Sequence, residues 1–261
     1  MTFIYIHWNA DPTMIDLWGF PISWYGLLFA LGFVFGYIIM QKIFQREQIP
    51  QKILDNLSLY MFIGTVVGAR LGHCFFYEPE YYLAHPIEIL YIRQGGLASH
   101  GAAIAILISL WIFSKKQKKP FSWIVDRIVI VVALAGFFIR LGNLMNSEIY
   151  GQVTHVPWAF IFDRIDNQPR HPSQLYESVA YLLLFFLLYW MYFKRNASKK
   201  PYLLFGVFLL GCFGFRFLVE FIKDVQVDFE HFMALKMGQW LSIPFIISGL
   251  YFIFRKTKDA K

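Results

Sequence analysis

The chain has 261 residues, of which 57% are hydrophobic, 20% aromatic and only 16% charged. A soluble domain carries about 25% charged residues, so the composition excludes a water-soluble fold and points to an integral membrane protein. The net charge of +7 does not indicate nucleic acid, because most of the basic residues are concentrated in alternate connections between apolar stretches.

Seven stretches are long enough to cross a bilayer, for which about 20 apolar residues are needed: 22–44, 53–76, 97–113, 122–141, 173–193, 202–222 and 240–254. The fold expected is an all-α integral membrane protein with seven transmembrane helices. It forms a single polytopic domain over 1–261, with a small outer-face head at 142–172.

No lysine or arginine precedes the first stretch, which is too long for the core of a signal peptide, so no leader is expected. Tyr25 at its start reads, on physics alone, as an interfacial aromatic. Gly32 and Gly36, and then Gly64, Gly68 and Gly72 in the second stretch, have the spacing of closely packed helices. The second stretch also carries Arg70, with His73 three residues on. An arginine at the centre of a spanning helix costs about 2.5–3.5 kcal/mol on insertion scales, so it normally faces a polar cavity.

The third stretch is entered through Gly95, Gly96, Ser99, His100 and Gly101. Flanking glycines let backbone approach a ligand, and a histidine suits removal of a thiol proton near neutral pH; a helix-capping histidine is the alternative. The fourth stretch ends in Arg140-Leu-Gly-Asn143-Leu-Met-Asn146-Ser-Glu148. Arg140 and Asn143 share a helix face, and a guanidinium fork suits phosphate oxygens, although a snorkelling helix end would look similar. The connection that follows is long enough to be functional.

The fifth stretch opens with Arg170-His-Pro-Ser-Gln-Leu-Tyr-Glu177. Pro172 suits a first helical turn, and the Ser and His do not form a nucleophile elbow. In the sixth, Arg216 and Glu220 stand four apart, either neutralising each other or with Glu220 aiming Arg216 at a ligand. Cys74 and Cys212 have no paired spacing and read as apolar fillers. No metal or cofactor is expected. No half is duplicated, which counts against an inverted-repeat transporter.

Lys42, Arg46 and Lys52 follow the first stretch, Lys115–Lys119 the third, Lys194–Lys200 the fifth and Arg255–Lys261 the seventh. The positive-inside rule therefore places the N-terminus outside and the C-terminus in the cytoplasm. All seven histidines and thirteen of the seventeen carboxylates fall on the outer side. The arginines of the apolar stretches thus point to an anion site at the outer edge of the bilayer.

Taken in order, Trp24-Tyr25-Gly26, Gly68-Ala-Arg70-Leu-Gly72, Gly95-Gly96 through His100-Gly101, and Arg140 through Glu148 resemble the bacterial phosphatidylglycerol–prolipoprotein diacylglyceryl transferases. Arg170 through Glu177, Arg216-Phe-Leu-Val-Glu220 and Met237-Gly-Gln-Trp-Leu-Ser-Ile-Pro244 extend the likeness over nearly the whole chain. The resemblance implies transfer of a diacylglyceryl group from phosphatidylglycerol to the lipobox cysteine of a prolipoprotein signal peptide, in the bacterial cytoplasmic (inner) membrane. It makes Arg140 and Arg216 essential, and Tyr25, His100, Asn143, Glu148 and Glu220 site residues.

Combined with the physical reading, His100, Arg140 and Arg216 are the catalytic candidates. Arg140, Asn143, Tyr25, Glu148, Glu220 and Arg70 are the substrate-binding ones. Three positions depart from the family pattern: Ala102 and Ser147 where glycine is common, and Lys223 where arginine is. A lysine lacks the bidentate fork. The rival reading is an anion or phospholipid transporter using the same arginines. Expected partners are phosphatidylglycerol, the prolipoprotein and membrane lipid, with no nucleic acid.

Overall fold

The computed structural model describes residues 5–91, 96, 98–224 and 234–256. A long helix forms at every predicted stretch: α1 (Trp24–Arg46), α2 (Gln51–Phe76), then, after the short α3 (Pro79–Ala84), α4 (Ser99–Lys116), α5 (Phe121–Met145), α6 (Ser173–Arg195), α7 (Leu203–Val219) and α8 (Met237–Phe254). Five of these, α1, α2, α5, α6 and α8, are long and apolar enough to cross a membrane. The chain is a mainly helical, multi-pass membrane protein. α7 is apolar but shorter, and α4 is diluted by His100 and two terminal lysines.

Short strands accompany the helices. β1 (Ile6–Trp8) pairs in parallel with β4 (Phe160–Phe162), which pairs antiparallel with β5 (Pro169–Arg170). β2 (Thr13–Leu17) and β3 (Phe20–Ser23) form a separate hairpin. The expectation of helices alone is amended by these two small sheets, whose strands are too short to leave a readable alternation.

Residues 40–125 form one compact unit and the remainder another. Within the first, α2 and α4 meet through glycines. A Cβ on Gly72 would stand 2.6 Å from the Gly101 Cα, and one on Gly68 2.7 Å from the Gly101 carbonyl oxygen. Backbones that close exclude any larger side chain, as the small-residue spacing anticipates.

In the second unit, Asp126 of α5 accepts from the backbone N–H groups of Tyr202 (2.7 Å) and Phe205 (2.9 Å). It thereby satisfies donors that the start of α7 would leave orphaned. At the other end of α5, Leu144, Phe160 and Phe162 form a buried cluster with Trp8, Tyr150 and Leu175 against it. The Trp8 indole donates to the Leu144 carbonyl at 2.9 Å. Arg170 closes this region by bridging Asp166 (2.6 Å) and Asp224 (2.8 Å) beneath the Tyr150 ring.

Candidate active site

The site is built where α5 ends. The helix runs past residue 141 to Met145, and the chain then turns back as Glu148 N–H donates to the Asn143 carbonyl at 3.0 Å. That turn makes neighbours of three expected residues. Arg140 Nη1 donates to Asn143 Oδ1 (3.0 Å), and Asn143 Nδ2 donates to Glu148 Oε1 (2.8 Å). Asn146 Nδ2 reaches the same oxygen at 3.2 Å. Ser147, inside the turn, has φ +55, a left-handed conformation that glycine adopts more cheaply.

The start of α6 holds the turn in place. Ser173 and Gln174 are fully buried and donate to the carbonyls of Ile149 and Glu148, each at 2.7 Å. Further along α6, the buried Glu177 carboxylate puts Oε2 3.2 Å from Arg140 Nε and 3.2 Å from Lys223 Nζ. Lys223 also donates to Glu177 Oε1 at 3.2 Å and lies 3.7 Å from Glu220 Oε2. Two buried carboxylates thus flank one buried ammonium. Burial lowers the Lys223 pKa below the usual lysine range; Glu177 and then Glu220 oppose this, while Arg140 and Arg216 reinforce it. Lys223 therefore acts as an internal counter-ion.

The spacing of Arg216 and Glu220 allows a neutralising pair, but none forms. Glu220 is spent on Lys223, and it packs so tightly on the first turn of α8 that a Cβ on Gly238 would stand 2.5 Å from its Oε2. The Arg216 Nε is buried without a hydrogen bond. Among the described residues, the Arg216 guanidinium has no hydrogen-bond or ion-pair partner. Tyr25, second in α1, joins the same place: its ring fills the space a Cβ on Gly142 would need (2.7 Å), and its hydroxyl is within electrostatic reach of Glu148 and Arg140. Tyr181 and Cys212 lie within reach of Arg140 as well.

Six of the expected site residues, Tyr25, Arg140, Asn143, Glu148, Arg216 and Glu220, therefore belong to one unit. Sequence reasoning missed Glu177 as an individual, although it closes the Arg170–Glu177 run and is a carboxylate within an apolar helix, a signal in itself. It also missed Tyr181.

Arg70 and His100 belong to residues 40–125. Arg70 is buried and donates through Nε to the Ile89 carbonyl (2.8 Å), through Nη2 to Glu88 (2.6 Å) and through Nη1 to Gly96 (3.4 Å), with Tyr82 stacked 5.0 Å away. These bonds tie Arg70, expected among the substrate-binding residues, to the carbonyls of Glu88, Ile89 and Gly96. His73 pairs with Glu78 at 3.5 Å. His100, in the first turn of α4, is exposed and contacts the rings of Phe76 (5.4 Å) and Tyr77 (5.6 Å). Gly95 and His231 lie outside the described residues. Among the described residues no group of His, Cys, Asp or Glu is placed to hold a metal ion.

The chemistry of the cluster is that of an anion seat: one guanidinium fixed by a carboxylate and an amide, and a second left uncommitted. The family model described as prolipoprotein diacylglyceryl transferase matches residues 12–255. The chain is 49% identical to the phosphatidylglycerol–prolipoprotein diacylglyceryl transferase of Tolumonas auensis, over 97% of this chain and 98% of that one. It is 48% identical to the protein of that name from Bacteroides fragilis, over 98% of both. A third, from Nitrosomonas europaea, is 38% identical over 95% of this chain and 91% of its own.

Proposed function

The chain belongs to the prolipoprotein diacylglyceryl transferase family, and from that premise we propose that it transfers the diacylglyceryl group of phosphatidylglycerol to the thiol of a prolipoprotein lipobox cysteine. Sulfur attacks the glycerol carbon, the carbon–oxygen bond to phosphate breaks, and its electron pair stays on the departing glycerol phosphate. The product is a thioether.

The observation that carries the role of the cluster is the uncommitted Arg216 guanidinium in the unit that holds Arg140. In this reading the two guanidinium groups receive the phosphate, and they help most as charge grows on the bridging oxygen. Glu177, itself held by Lys223, fixes Arg140; Asn143 ties it to Glu148; Tyr25 and Glu220 complete the wall of the seat. A thiol of pKa about 8.5 needs only modest help to ionise, and His100, whose ring is exposed, is the base in this reading. In this reading Arg70, bonded to the carbonyls of Glu88, Ile89 and Gly96, has a structural role.

The distribution of lysine and arginine supports a seven-pass topology in the bacterial inner membrane, with the N-terminus outside and the site near the outer leaflet. Phosphatidylglycerol and a lipobox peptide incubated with purified protein test the reading. A peptide heavier by one diacylglyceryl group is expected. An unchanged peptide would overturn the reading, and lipid movement without a new thioether would favour the transporter.

A further inference from the structure

The β2–β3 hairpin carries an apolar face that no other described part of the chain covers. Its register sets Leu17 opposite Phe20 and Ile15 opposite Ile22, and residues so paired, two apart along each strand, share one face. All four are exposed. Asp16, the only charged residue of the hairpin, stands opposite Pro21 on the other face.

The tip is defined rather than loose. Trp18 and Gly19 take positive φ values of +51 and +87, the pattern of a tight two-residue hairpin turn. The Gly19 N–H donates to Asp16 Oδ1 at 2.7 Å. This turn holds Trp18 96% exposed, beside Phe20 at 68%. A two-stranded hairpin is marginally stable in water at best, and one whose apolar face and aromatic tip both meet water is less so.

Chain continuity identifies what covers that face. Ser23 ends β3 and Trp24 begins α1, with no linker between. α1 is apolar enough to cross the bilayer, and Val34, Phe35 and Ile38 on it are exposed apolar residues of the same kind. A hairpin of this length, at about 3.3 Å per residue, cannot leave the vicinity of the membrane that its own next residue enters. Tryptophan is the side chain most at home at the headgroup level.

We propose that the β2–β3 hairpin lies on the phospholipid bilayer, with Ile15, Leu17, Phe20 and Ile22 facing the acyl chains and Trp18 set at the boundary with the headgroups. It is a lipid-contacting arm, separate from the arginine cluster.

Intact protein reconstituted into phosphatidylglycerol–phosphatidylcholine vesicles tests this, with and without bromine on the acyl chains near the headgroup. Subtracting the emission of Trp18→Phe from that of the parent isolates Trp18. The arm predicts blue-shifted Trp18 emission that loses most of its intensity in brominated vesicles. Emission at the wavelength of water-exposed indole, equal in both vesicles, would overturn it. So would a blue shift, insensitive to bromine, that develops only on adding lipobox peptide or raising protein density, since either makes the occupant a protein. Phe20→Arg provides a second reading: quenching of Trp18 should weaken, and unchanged quenching would contradict the assignment.

Discussion

The Glu177 carboxylate, fully buried in α6, lies 3.2 Å from the Arg140 guanidinium at the end of α5. A buried carboxylate so placed fixes one edge of the guanidinium and leaves the remaining donors to Asn143, Tyr181 and a ligand. Its removal leaves Arg140 and Lys223 without their shared counter-charge. Breaking a buried pair from one side costs about 3–5 kcal/mol. Glu177→Gln is therefore expected to lower stability by that amount and to reduce transfer activity in the protein that still folds. Thermal unfolding in detergent and peptide modification by mass spectrometry measure the two. A variant with parent-like values in both would refute this role.

Ser147 has φ +55 and a buried hydroxyl without a hydrogen bond. Relief of the left-handed penalty and loss of an unsatisfied polar group act in the same direction. Ser147→Gly should stabilise the protein by about 1 kcal/mol. Ser147→Ala, which removes the hydroxyl but keeps the strained backbone, should gain less. Equal melting temperatures for the two variants would show that the backbone is not strained there.

Arg70 spends its donors on three carbonyls. Arg70→Met is expected to destabilise by about 3 kcal/mol, to expose the chain near residue 88 to limited proteolysis, and to leave much of the activity of the folded fraction. Full stability with abolished transfer would return Arg70 to the substrate-binding set.

Arg170 holds the Asp166 carboxyl below the ordinary aspartate value of 3.8. A depressed folded value means that the stabilisation is complete above 3.8 and is lost as pH falls through the lower, folded pKa. Asp166→Asn should cost less than about 1 kcal/mol at pH 7, as for a partly exposed pair. The difference between variant and parent should shrink below pH 4 and vanish in stronger acid. A difference independent of pH would exclude the ion pair as its source.

The sequence made the long helices legible because each needs a long, mainly apolar run, and a bilayer sets its length. It also revealed the Arg140–Asn143–Glu148 chain, whose members are local and share a helix face or an adjoining turn. Glu177 was obscure for the opposite reason: its partners, Arg140 and Lys223, come from other segments. The same holds for β1, whose partner Phe160–Phe162 lies far along the chain. At Arg216 the i, i+4 spacing left open a neutralising pair with Glu220 or an aiming role for it. The structure gives Glu220 to Lys223 instead, a choice made by tertiary packing against Gly238 that no spacing rule contains.

Arg216 tests the account most directly, because among the described residues its guanidinium has no hydrogen-bond or ion-pair partner whose loss would weaken the fold. The measurement is diacylglyceryl transfer to a lipobox peptide by Arg216→Ala, alongside its thermal unfolding. The account predicts a melting temperature close to the parent's and a rate lower by about 10²–10³, the usual penalty for losing one donor to developing negative charge. Transfer at the parent rate by a stably folded Arg216→Ala would contradict it.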